Sequence, residues 1–185
     1  MVSEVLKSLD DDIAKAMDAF QRELGKVRTG RANTSILDTV RLDYYGTPTP
    51  LNQVASVSVA DPRLIVVKPW EKRLIPDIEK AIRDANLGIN PSSDGDVVRL
   101  PIPALTQDRR KELTKIVKRI GEDARVAVRN CRRDARELLE QGKKDGEITE
   151  DDVEAGYKKI QTVIDKAIEK VDGIADKKQA EIMEV

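Results

Sequence analysis

The sequence predicts an α+β protein: an elongated three-helix bundle with a small β/α/β domain inserted between its first and second helices. Three observations predict this. Apolar residues recur at three-and-four spacing over residues 3–28, over 106–141, and again from about 149 onward. All eight prolines lie between Pro48 and Pro103. Within those limits, short apolar stretches are separated by turn residues, as strands are.

The first helix carries Leu6, Leu9, Ile13, Ala16, Met17, Phe20, Leu24 and Val27 on one stripe, with Ser3 as the expected N-cap. Its pattern stops at Thr29-Gly30-Arg31. Val40, Leu42 and Tyr44 then alternate with Arg41 and Asp43, as in a half-buried strand. Gly46-Thr-Pro-Thr-Pro50 reads as a turn or stiff loop. Residues 54–59, 64–67 and 97–100 read as further strands, with a short helix from about Pro76 to Asn86 and Gly88 just beyond it. The second helix follows from Thr106, its expected cap, and would span roughly 50 Å at 1.5 Å per residue. Gly142 and Gly146 bracket the turn after it, and Thr149 with Asp152 resembles a capping box for the third helix. That helix places Val153, Tyr157, Ile160, Ile164, Ala167, Ile168, Val171, Ile174 and Ala175 at core spacing. The expected domains are therefore 1–29 with 106–185 for the bundle, and 31–104 for the insertion. Two chain crossings join them, near Thr29-Gly30 and Pro103-Ala104-Leu105, and such a double linker suits a hinge.

Composition narrows the function. The chain has no histidine and a single cysteine, Cys131. Imidazole acid–base chemistry and histidine metal sites are thereby removed. Cys131 has no histidine to activate it, and its helical neighbours Ala127, Val128 and Ala135 mark it as a small core residue. Asp94-Gly-Asp96 and Asp10-Asp-Asp12 lack the ligand spacing of a calcium loop. There is no glycine-rich phosphate loop, and neither a cofactor nor a small-molecule substrate is expected. No segment reaches the ~18 apolar residues of a membrane span, so a cytoplasmic protein without a membrane partner is expected.

Net charge is −1, so any polyanion site must be local. Between Arg109 and Arg136 there are eleven Lys/Arg and four acids (Glu112, Glu122, Asp123 and Asp134). At about 100° per residue, Lys118, Arg125, Arg129, Arg132 and Arg136 fall within roughly 60° of one another. Leu113, Val117, Ile120, Ala124, Cys131, Ala135 and Leu138 fall on the opposite side. Glu122 is the only acid near the row. A solvated charged face is the plain reading of such a helix. Two features point to phosphate instead: arginine forks onto phosphate bidentately, and a face kept merely soluble would mix signs. Few aromatics are available to stack bases, which favours folded RNA gripped by its backbone. Trp70, after Pro69, reads as a packing residue between strand and helix, with a partner anchor as the alternative. Tyr44 and Tyr45, beside the proline-rich stretch, read as half core and half exposed, with a partner contact as the alternative.

Four stretches carry a resemblance to a known family. Val27-Arg-Thr-Gly-Arg-Ala32, Tyr44-Tyr-Gly-Thr-Pro-Thr-Pro-Leu51, Arg109-Arg-Lys-Glu-Leu-Thr-Lys115 and Ala124-Arg-Val-Ala-Val-Arg-Asn-Cys-Arg-Arg-Asp-Ala135 resemble the bacterial ribosome recycling factors, over essentially the whole chain. The resemblance implies an L-shaped pair of domains, similar in outline to tRNA, that binds the post-termination ribosome. It implies release of the subunits with elongation factor G and GTP, by a factor that is no enzyme and acts as a monomer. It places large-subunit rRNA against the bundle, with Arg110, Arg129 and Arg132 as contacts, and puts the hinge at Arg28 to Arg31 and about Pro103 to Thr106; the basic residues of the same helix add Lys118, Arg125, Arg133 and Arg136 as candidates. The rival from the residues alone is an adaptor that pairs its bundle with another helical protein; an enzyme fits least.

Overall fold

The computed structural model describes residues 1–184. The chain divides into two compact units, Met1–Arg28 with Asp108–Glu184 and Thr29–Gln107.

The first unit holds three long helices, α1 (Val2–Gly25), α4 (Gln107–Lys144) and α5 (Glu150–Glu184). None can bury its apolar stripe alone. Val5 and Leu9 of α1, Val128, Ala135 and Leu139 of α4, and Val153, Ile160, Ile164 and Ala167 of α5 share one core. Two buried glycines of α4 were invisible to a hydrophobic pattern. Gly121 faces Ala175, where an added Cβ would sit 3.5 Å away, and a side chain at Gly142 would run into Met1. On α5, a Cβ at Gly156 would lie 2.6 Å from Leu139 Cδ1. Small residues mark the places where the helices come closest.

Ser3 is exposed and lies inside α1; the cap position is Met1, whose ammonium lies 3.1 Å from Glu4. Gly142 does not bracket the turn but is buried within α4. Leu138 is 48% exposed, because the buried stripe runs through Val128, Ala135, Leu139 and Gly142 instead. Gly146, at φ +75°, closes α4. Its N–H donates to Lys143 O (3.1 Å) and that of Glu147 to Gly142 O (2.9 Å), the paired bonds of a Schellman motif. Thr149 and Asp152 form a reciprocal cap: Thr149 N–H donates to Asp152 Oδ2 (2.9 Å) and Asp152 N–H to Thr149 Oγ1 (3.2 Å).

The second unit contains β1 (Arg41–Tyr44), β2 (Thr47–Pro50), the single turn α2 (Leu51–Val54), β3 (Ala55–Asp61), β4 (Leu64–Pro69), α3 (Ile75–Asp84), β5 (Ser92–Ser93) and β6 (Val98–Pro101). Two 3₁₀ turns, Thr34–Leu37 and Lys72–Leu74, complete it. β1 and β2 form a hairpin, and the other four strands form an antiparallel sheet in the order β3-β4-β6-β5. Ile65, Val67, Ile78, Ile82, Val98 and Leu100 are its fully buried centre.

The stretch Gly46–Pro50, expected as a loop, is largely strand β2. The prolines permit this by their spacing. Leu51 N–H donates to Val40 O, so alternate residues 51, 49 and 47 are those whose N–H groups face β1. Pro48 and Pro50 fall between them, and their missing donors lie on the outer edge.

Candidate nucleic-acid interface

The basic residues belong to α4, which runs for 38 residues without interruption. A straight helix carries Lys118, Arg125, Arg129, Arg132 and Arg136 along one side, as the 100° step requires. The row does not stand clear of acids, however. It lies along α5, whose side chains reach it. Arg125 is half-buried and places both Nε (2.7 Å) and Nη2 (2.6 Å) on Asp172 Oδ1. Its Nη1 donates to Glu122 Oε2 at 3.0 Å. Arg129 Nη2 donates to the other oxygen of Glu122 at 2.6 Å. Arg132 Nη1 reaches only the amide oxygen of Gln161, at 3.4 Å. The Arg136 guanidinium lies 4.1 Å above the Tyr157 ring, and the Tyr157 hydroxyl donates to Glu140. Lys118 has no partner among the described residues.

A wheel drawn for one helix cannot show this, because Asp172, Gln161 and Tyr157 are contributed by another. The row is therefore graded. Two carboxylates hold Arg125, one holds Arg129, a neutral amide touches Arg132, and Lys118 is open. The charge states agree with the contacts. The hydrogen bond from Arg129, and after it that from Arg125, holds the Glu122 carboxyl below its ordinary value. Asp172, and after it Glu122, raises the already high value of Arg125.

Two further cations lie off the row. Arg110 Nη1 donates to Met183 O at 2.8 Å, near the end of α5, where backbone carbonyls lack helical partners. Arg133 is exposed, 3.5 Å from Asp134 and 3.9 Å from Glu137. Arg132, Arg133, Arg136 and Lys144 line a concavity of about 570 Å³ together with the carboxylates Glu137 and Glu140. Cys131 is half-buried, and burial pushes its thiol above its ordinary value, which keeps it protonated and inert. Among the described residues no group of three His, Cys, Asp or Glu could hold a metal ion. Among the same residues, no helix is long and apolar enough to cross a membrane.

The second unit places its aromatics at the surface. Tyr45 and Gly46 are the two central residues of the β1–β2 hairpin, at φ 51° and 81°. Both must be left-handed in such a turn, which suits Asn or Gly and strains tyrosine. Asp43 supports the turn by accepting from Gly46 N–H at 2.6 Å. Tyr45 is 74% exposed, with Arg73 bonded to its hydroxyl and lying 4.7 Å from the ring centroid. Tyr44 is half-buried and donates to Glu71 Oε1 at 2.7 Å, while Arg73 donates to Oε2 at 2.6 Å. Arg73, and after it Tyr44, lowers the Glu71 carboxyl below its ordinary value.

Trp70 is 67% exposed, against the expectation of a packing role. Strand alternation explains it: Ile65, Val67 and Pro69 point inward, so Trp70 falls on the open side. It borders a groove of about 630 Å³ with Arg41, Asn52 and Val57.

At the chain crossings, Gly30 has φ +78°, and a Cβ there would lie 2.9 Å from Leu105 Cγ. Thr29, Ala104 and Thr106 have no regular structure, and Leu105 is half-buried. Ala32 N–H donates to Pro62 O (2.6 Å) and Ile102 N–H to Arg63 O (2.8 Å). Both chain segments are thus pinned to the same two-residue turn between β3 and β4.

The family model described as "Ribosome recycling factor" matches residues 20–183. The chain belongs to the ribosome recycling factor family. It is 55% identical to the ribosome-recycling factor of Anaeromyxobacter sp. (strain K), over all of this chain and 98% of that one. It is 53% identical to that of Bacillus cereus (strain AH187), over the full length of both. Among solved structures, a solution structure of a ribosome recycling factor superposes with a TM-score of 0.73 at 35% identity, covering 100% of this chain and 98% of that chain. Another covers 99% of both chains with a TM-score of 0.64 at 39% identity. It is described as models for the T. thermophilus ribosome recycling factor and the E. coli elongation factor G bound to the E. coli post-termination complex. The family thus agrees with the one reached from the four sequence stretches.

Proposed function

We propose that this chain recycles ribosomes: it binds the post-termination ribosome and, with elongation factor G and GTP, releases the subunits, the mRNA and the tRNA. The observation that carries this is likeness to ribosome-recycling factors over the whole length of the chain. The chain works in the cytoplasm as a monomer and catalyses no reaction itself. It needs no cofactor, and GTP is hydrolysed by its partner.

In this reading the α4 row grips large-subunit rRNA through its phosphates. Arg132, Arg129 and Arg110 are the central contacts, with Lys118, Arg133 and Arg136 flanking them and Arg125 held beside them on Asp172. Arginine suits this work because its planar fork matches two phosphate oxygens. The second unit receives the push of the translocase, and Tyr44 and Tyr45 lie in the surface it meets. Residues 28–31 and 103–106 form the hinge. The two bonds to the β3–β4 turn support this, because they confine bending to the few residues outside Ala32 and Ile102. Movement of the second unit strains the bridges between subunits until they part.

The test is sedimentation with purified ribosomes across a salt series, with and without the translocase. Binding should fall steeply as salt rises, because each phosphate contact releases a counterion. Salt-insensitive binding would instead favour an adaptor that docks through apolar side chains.

A further inference from the structure

The graded pairing of the row separates residues that an angular plot treats as equal. Glu122 divides its two oxygens between Arg129 and Arg125, at 2.6 and 3.0 Å. A phosphodiester carries the same feature, anionic oxygens on one centre, and competes with the carboxylate for the more exposed guanidinium, that of Arg129. Glu122 and Arg129 are both open to solvent, at 53% and 45% exposure, so their ion pair is weak and exchangeable. Arg125 differs. Three of its nitrogens are engaged by two carboxylates, it is the less exposed of the two arginines, and it ties α4 to α5.

We propose that Glu122 is a phosphate surrogate that RNA displaces from Arg129, and that Arg125 remains on Asp172 as a strut that positions the row without touching RNA. This inference rests on the rRNA-binding reading. Before binding, the Glu122 carboxylate keeps the Arg129 guanidinium extended along the helix and lowers the effective charge of the row. Indiscriminate polyanions then meet a partly neutralised face. An rRNA phosphate replaces the Glu122 carboxylate on Arg129 alone, while Arg125 keeps its two bonds to Asp172. Arg132 has no carboxylate among its recorded contacts, so it engages RNA without exchange.

The experiment measures binding of the full-length protein to purified large ribosomal subunits over a salt series. Glu122→Gln should tighten binding several-fold and leave the slope of log affinity against log salt unchanged, since no phosphate contact is gained. Asp123→Asn removes an equal charge one residue away but off the row, and should change affinity by less than twofold. Arg129→Met should weaken binding and reduce the slope by about one unit per lost contact, whereas Arg125→Met should leave the slope as it is. The loss caused by Arg129→Met should be larger in the Glu122→Gln background, where Arg129 is no longer spent on a carboxylate. Far-ultraviolet circular dichroism melts confirm that each variant is folded. Unchanged or weaker binding by Glu122→Gln, an equal gain from Asp123→Asn, or a reduced slope for Arg125→Met would overturn the proposal. If wild-type binding ignores salt and Arg132→Glu binds fully, it is the rRNA reading itself that fails.

Discussion

On the bundle, aromatic rings are hidden: Phe20 is 3% exposed, and Tyr157 lies half-buried beneath the Arg136 guanidinium. On the inserted unit, two rings stand open, Tyr45 at 74% and Trp70 at 67% exposure. The bundle shows a partner cations, and the inserted unit shows it rings. Cations on a rigid helix fit a phosphate backbone. Exposed tyrosine and tryptophan on a small rigid scaffold are the side chains that anchor protein–protein contacts. The contrast teaches that one chain of nearly zero net charge can carry two chemically different surfaces on separate units. The salt response of a variant should reveal which unit it belongs to.

The strongest test reverses one charge. Arg132→Glu should lower ribosome affinity roughly hundredfold or more, since it removes a phosphate contact and adds repulsion. The thermal melt should stay in place, because the recorded partner of Arg132 is a surface amide at 3.4 Å. Full binding by this variant would remove the bundle from the comparison. Core truncation is the next largest effect. Ile78→Ala, at a fully buried position of the inserted unit, should cost about 2–5 kcal/mol. Calorimetry should show that loss in the unfolding of the inserted unit while the helical signal of the bundle melts where it did before. A single shared transition would show that the two units fold as one.

How much of this was legible follows from what each signal measures. Periodicity found the three long helices because a 24-, 38- or 35-residue stripe repeats many times. It misjudged Leu138 and missed Gly121 and Gly142, because a buried glycine reads as polar although it marks close approach. Trp70 was assigned by residue type, and alternation from Ile65 through Pro69 would have placed it outward. β2 was hidden by its two prolines, whose spacing of two is the signal that an edge tolerates them. For the candidate site, the angular positions on α4 followed from sequence. The partners of the row did not, since Asp172 is 47 residues from Arg125 and nothing local couples them.

Smaller effects sharpen the comparison further. Tyr45→Gly relieves the left-handed strain and should stabilise the inserted unit by up to about 1 kcal/mol. The same change should reduce translocase-dependent subunit release several-fold, with ribosome affinity and its salt slope unaltered. If release is undiminished, the open ring has no partner in that step. Thr149→Ala removes the cap of α5 and should cost about 1 kcal/mol, lowering the melt of the bundle by roughly 2–4 °C. Acid should do the same through the other half of the cap. Thr149, by its backbone N–H and then its hydroxyl, holds the Asp152 carboxyl below its ordinary value of 3.8. A depressed carboxyl stabilises the fold fully above that ordinary value and loses the contribution as pH falls through its own lower one. The melt difference between wild type and Asp152→Asn should therefore hold above pH 3.8 and shrink as pH falls through the lowered value.

The turn at Gly146 has reach. It fixes where α5 begins, and so which residue of α5 stands opposite each residue of α4: Gly156 meets Leu139, Tyr157 meets Arg136, Gln161 meets Arg132 and Asp172 meets Arg125. One residue added to the turn would rotate α5 by about 100° and slide it by about 1.5 Å. Asp172 would leave Arg125, and Tyr157 would leave Arg136. The turn works as the zero mark of a ruler, and the charge pattern of the row is set from some 30 Å along the helix by one residue with a positive φ.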